Sequence, residues 1–171
     1  VMYDSDFGFE RWSGVNFSIG SYETYNMLDH AIGESNVFNN PIWSTAVFTT
    51  FLENMDFRNK FINTYCDRLN TTYNTENTLY FMDSLRTIIE PYISDHINRY
   101  GPDIYDLFTP NTIGEYNSVY QGMENFANYR PNNARNEMIE MFGLSGSSNI
   151  ISLYMNDVEA GRIEINSLKI E

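Results

Sequence analysis

Through the middle of the chain, apolar positions recur at a helical period. Pro41 opens a run in which Trp43, Val47, Phe48, Phe51 and Leu52 share one face, which predicts a helix starting there. From Asp56 to about Leu69 a second helix is predicted. Phe57, Phe61, Ile62, Tyr65 and Leu69 step along one side of it, while Asp56, Arg58, Lys60 and Asp67 fall elsewhere. Thr75-Glu76-Asn77-Thr78 stands where an N-cap belongs, ahead of the longest periodic segment. Leu79, Met82, Leu85, Ile88, Ile89, Tyr92, Ile93 and Ile97 follow the repeat until Gly101 ends it. Pro91 lies inside that segment and removes one backbone donor, so a kink or break is expected near Ile88. Another helix is predicted over residues 114–130. Pro131 is expected to start a final one, carrying Ala134, Met138, Ile139 and Phe142.

Either side of this helical stretch the pattern changes. Residues 1–9 read as a strand end running into a turn at Gly8. Residues 10–40 lack steady periodicity and read as a loop, with a short helix around 22–32. Gly143-Leu144-Ser145-Gly146-Ser147-Ser148 is small and polar, a linker by composition. Beyond it Ile150-Ile151-Ser152-Leu153-Tyr154 leads to a turn expected near Asn156-Asp157. Then Ile163 and Ile165 alternate with charged residues, and Leu168 and Ile170 do so again in the opposite register, which is strand behaviour. A lone hairpin is marginal in water, so these strands are expected to pair with the helical body or to begin a further domain. The fold class expected is mainly α with a short β hairpin at the C-terminus. It divides into a helical region over 1–143, a linker over 144–149 and a β tail over 150–171.

The composition narrows the functions open to such a fold. The chain has 171 residues, 42% of them hydrophobic and 16% aromatic, enough for one domain with a packed and largely aromatic interior. Ten basic residues against 23 acidic ones leave a formal net charge of −13, with no basic cluster. Nucleic acid and anionic membrane surfaces are therefore excluded as partners, since both require basic patches. No apolar run approaches the roughly 20 residues that span a bilayer, so no membrane insertion is expected. Cys66 is the single cysteine, which rules out an intrachain disulfide and a thiolate metal site, and its helical context favours a small buried hydrophobe over a reactive thiol. The chain opens on Val1 without a start methionine, and is expected to be a piece of something longer.

Few residues offer chemistry. Asp4-Ser5-Asp6-Phe7-Gly8 places two carboxylates on alternate residues at a strand end, where a turn at Gly8 would let both converge on one hard cation. The Asp-Phe-Gly triplet is also the kinase magnesium signature. Two exposed turn aspartates are the alternative reading of the same residues. His30 and His96 lack an i, i+4 partner, which argues against a histidine metal site, and His96 is expected to meet carbonyls near its helix end. Trp12 and Trp43 could stack on a sugar, but aromatic residues at helical spacing are more often core. Asn16-Phe17-Ser18 and Asn70-Thr71-Thr72 have the form of glycosylation acceptors, which chance explains in so Asn-rich a chain.

Tyr3-Asp4-Ser5-Asp6-Phe7-Gly8-Phe9 resembles the metal-binding segment of the CotH family, the spore-coat-protein-H kinases. The downstream segments 43–48, 51–62 and 68–73, the Ile89-Glu90-Pro91 break, and the segments 96–101 and 125–131 are similar to that family's helical C-terminal part, in the family's order. The resemblance covers about residues 1 to 143. It implies the helical C-lobe-like portion of an atypical protein-kinase-like fold, in an extracellular or cell-surface bacterial parent. The implied activity is phosphoryl transfer from ATP to a protein acceptor with Mg²⁺ or Mn²⁺. Asp6 would match the magnesium-binding aspartate, with Asp4 assisting. The family's nucleotide-gripping N-terminal lobe and catalytic-loop aspartate lie upstream of this strand and are missing here, so the piece alone is expected to be inactive, with that lobe as its natural partner. The rival reading is a non-catalytic extracellular binding or scaffold module, associated with polysaccharide-degrading assemblies, that keeps the fold for binding alone.

Overall fold

Asparagine side chains start three of the helices. Asn26 Oδ1 accepts from the backbone N–H groups of Leu28 and Asp29, both at 3.0 Å, and opens α1 (Met27–Ile32), which Gly33 closes in a left-handed conformation at φ 82°. Asn54 Oδ1 does the same for Asp56 and Phe57 at 3.0 Å, opening α3 (Met55–Asn70) directly after α2 (Ile42–Glu53). Asn74 Oδ1 accepts from Asn77 at 2.8 Å and opens α4 (Thr75–Tyr100), one residue ahead of the predicted cap. These helices, with α5 (Ile113–Phe142) and a ribbon of β1 (Ile163–Ile165) and β2 (Leu168–Ile170), come from a computed structural model. It describes residues 25–33, 41–100, 110–145, 151–154, 156–157, 161, 163–166 and 168–170. The predicted class, mainly α with a C-terminal β hairpin, is what these residues form.

Two compact units divide the chain. One holds Tyr25, α4 and α5 as far as Asn133; the other holds α1 to α3, the rest of α5 and the ribbon. In the first, three hydrogen bonds set the register of α4 against α5. Thr75 donates to the Ala127 carbonyl at 3.0 Å, Tyr120 to Asp83 at 2.6 Å, and Arg86 to Asn117 at 3.0 Å. The position on α5 falls as that on α4 rises, so the helices run antiparallel. Met82, Tyr120 and Ala127 are buried between them, with Leu79 and Met123 packed alongside.

In the second unit Phe61 is the hub. Its ring lies 5.2 Å from Phe48, 5.8 Å from Tyr65 and 6.1 Å from Phe142. The predicted inward face of α3 is thus the one that packs, and Leu69 is buried. Arg135 donates to the Leu69 carbonyl at 3.3 Å and to Asn70 Oδ1 at 2.9 Å. The ribbon pairs antiparallel, Ile163 with Ile170 and Ile165 with Leu168, and Asn166 takes φ 51° at its turn. Asn166 Nδ2 donates to Asp67 Oδ1 of α3 at 3.3 Å.

Several expectations need correction. Pro131 does not start a new helix, because α5 runs unbroken from Ile113 to Phe142 with Pro131 inside it. A proline lacks the N–H that would bond the carbonyl four residues earlier. That carbonyl is Ala127's, and the Thr75 hydroxyl supplies the missing donor. Pro91 likewise leaves α4 unbroken; it lies on an exposed surface, where water can serve the freed Thr87 carbonyl. The ribbon turns at Asn166, Asn156 lies in a bend as expected, and 151–154 carry no strand. Trp43, Val47 and Phe51 are exposed rather than core. The strand and loop expected over residues 1–24 lie outside the described residues.

Candidate functional site

Asp4 and Asp6 also lie outside the described residues, together with Gly8 and Trp12. Among the described residues no group of three or more His, Cys, Asp or Glu side chains comes together in a way that would hold a metal ion. His96 meets its neighbour Tyr100, ring centres 5.1 Å apart, where a helix-end carbonyl was expected. His30 sits in the last turn of α1, the end at which a basic group is favoured by the helix dipole.

The densest polar arrangement described is on the α4–α5 pair. Arg86 reaches Glu90 Oε1 through Nε and Nη2 at 3.3 and 3.0 Å, one helical turn along α4, and Nη2 also donates to Asn117 Oδ1. The same guanidinium lies 4.2 Å from the centre of the Tyr120 ring and 5.8 Å from that of Tyr116. The hydrogen bond to Glu90 holds Arg86 above its ordinary range. Tyr120 is buried and donates to Asp83, so its phenol is pushed up to about 12, by burial first and the bond to Asp83 second. These groups fasten two helices to each other.

Beside them, between the helices, opens a cavity of about 230 Å³ whose walls include Met82, Leu85, Ile89, Val119 and Met123. Tyr116 also lines it, and its hydroxyl is buried with no hydrogen-bond partner. Sequence periodicity marked Met82, Leu85 and Ile89 as one helical face. It could not reveal the groove, because the facing α5 residues lie some 30 positions away.

In the second unit Cys66 is half-buried. Burial raises its thiol pKa, with Arg135 opposing and Asp67 adding, so the thiol stays protonated at neutral pH. Asp67 and Glu137 are buried charged residues, and Asp67 receives the Asn166 amide. No described helix is long and apolar enough to cross a membrane.

Compared with known proteins, residues 1–134 match the family model described as CotH kinase protein. Neither a curated protein nor a solved structure matches the chain.

Proposed function

Since the chain belongs to the CotH kinase protein family, we propose that it forms part of a phosphotransferase in which Asp6, assisted by Asp4, holds Mg²⁺ or Mn²⁺ for transfer from ATP to a protein acceptor. One observation carries this reading: the matched span, 1–134, includes Asp4-Ser5-Asp6-Phe7-Gly8 within one continuous stretch. The donor set suits the ion. Two carboxylates offer hard oxygen ligands and leave coordination positions for water and nucleotide phosphates, the usual arrangement for a phosphoryl-transfer magnesium. When bound, the cation would offset the charge of the phosphates.

Two carboxylates supply little of the positioning that phosphoryl transfer requires. Groups to grip the phosphates and to receive the acceptor's proton are not among the motifs of this chain, and the proposal places them in the intact parent, an extracellular or cell-surface protein. The 171-residue chain alone is then inactive.

The test is a labelled-phosphate transfer assay on the intact parent with ATP and Mg²⁺ or Mn²⁺, beside the Asp6→Asn variant. Calorimetric titration of either cation into the chain itself runs in parallel. Transfer lost with Asp6→Asn, and a cation affinity that falls with it, is the expected result. Unchanged affinity in the variant would remove the metal assignment. A folded parent that transfers nothing to a broad set of proteins and glycans would favour the non-catalytic binding module.

A further inference from the structure

The apolar residues of α4 do not all face α5. Met82 is buried there, but Phe81, Leu85, Ile88 and Tyr92 are 60%, 64%, 66% and 70% exposed. Their spacings of four, three and four residues give a single stripe down the helix, the pattern of a seam that packs against another helix. Ile89 widens it toward the groove, and Leu85 and Ile89 belong to both stripe and groove wall.

We propose that this stripe is the contact surface between two copies of the chain, with α4 packed against α4 about a two-fold axis near Ile88. Area supports a second copy as the occupant. At the exposures given, the stripe presents on the order of 600 Å² of apolar surface, against about 800 Å² per partner in a standard interface, of which only somewhat over half is apolar. A two-fold contact also matches a stripe to itself without needing a second complementary surface. In an antiparallel pair centred between Ile88 and Ile89, Tyr92 of one copy comes opposite Leu85 of the other, which lines the groove. That groove, at about 230 Å³, lies below the roughly 300–1,000 Å³ of small-molecule sites and suits one inserted side chain. Tyr116, whose hydroxyl has no partner, stands in its wall. Each chain carries a formal charge of −13, so two copies repel at long range and added salt strengthens the dimer.

Sedimentation equilibrium of the chain across the micromolar range tests this. Ile88→Glu is compared with Trp43→Glu, which alters the separate exposed face of α2, and circular dichroism shows both variants folded. The expected result is a dimer whose dissociation constant rises at least about tenfold with Ile88→Glu, stays unchanged with Trp43→Glu, and falls as salt is raised. A monomer throughout the range, meaning that another part of the parent covers the stripe, overturns the proposal. So does a dimer that Trp43→Glu dissociates and Ile88→Glu does not.

Discussion

Replacing Thr75 by valine removes the hydroxyl that serves the Ala127 carbonyl and keeps the side chain's shape. Ala127 is only 2% exposed, so water is poorly placed to take over the 3.0 Å bond. A buried carbonyl left without a donor costs about 1–3 kcal/mol, a large share of the roughly 5–15 kcal/mol that holds a domain together. Thr75 is the first residue of α4 and Asn74 is its cap, so loss of capping contributes little. The cause can be isolated with a second substitution. Pro131→Ala restores the N–H four residues beyond Ala127, and the carbonyl then has a donor within its own helix. In that background Thr75→Val should cost less than about 1 kcal/mol, giving a coupling energy of about 1–2 kcal/mol between residues 56 positions apart. Urea denaturation of the four proteins, followed by circular dichroism at constant m-value, measures it. An equal cost for Thr75→Val in both backgrounds would refute the claim that the hydroxyl stands in for the missing proline donor.

Two further outcomes follow from the titratable groups. Tyr120 keeps its proton up to about 12 in the folded chain, against an ordinary 10. The stability this provides is complete below pH 10 and is lost as pH rises toward 12, where only the unfolded state ionises; Tyr120→Phe should flatten that part of the curve in alkaline urea titrations, and identical slopes would count against it. For Cys66, burial lifts the thiol, so alkylation by iodoacetamide at neutral pH should be slower in the folded chain than in the denatured one, with its midpoint at higher pH. Equal rates would show the thiol to be exposed.

Periodicity located α2, α3 and α4 because each carries a repeated apolar face, and α3 in particular packs through Phe61 and Leu69 as expected. Other features depend on distant partners and so left no local trace. The proline rule is local and predicts an end at Pro131, whereas the donor that lets α5 continue sits on another helix. On α4 the apolar residues cover two faces, and periodicity does not decide which of them meets α5. In the tail, the shift of register between Ile165 and Leu168 already marked the hairpin turn, although Asn156-Asp157 offered a stronger turn composition. Of the candidate site, the Asp4-Ser5-Asp6 motif was legible only through its chemistry and its resemblance, since two alternate aspartates without a third ligand specify no geometry.

Both units are closed by bonds that reach far along the chain, among them the one Arg130 of α5 donates to the Tyr25 carbonyl at a separation of 105. Those between α4 and α5 join residues 31 to 52 positions apart, while α3 is bonded to Arg135 at a separation of 65 to 66 and to Asn166 at 99. A chain made from its N-terminus at about 5–20 residues per second presents α3 several seconds before Asn166 exists. During that interval Asp67 lacks its amide partner, and the aromatic hub around Phe61 lacks Phe142. The helices synthesised early are therefore among the last to be completed. Until the ribbon and the end of α5 arrive, their apolar face stays open to a chaperone's cover.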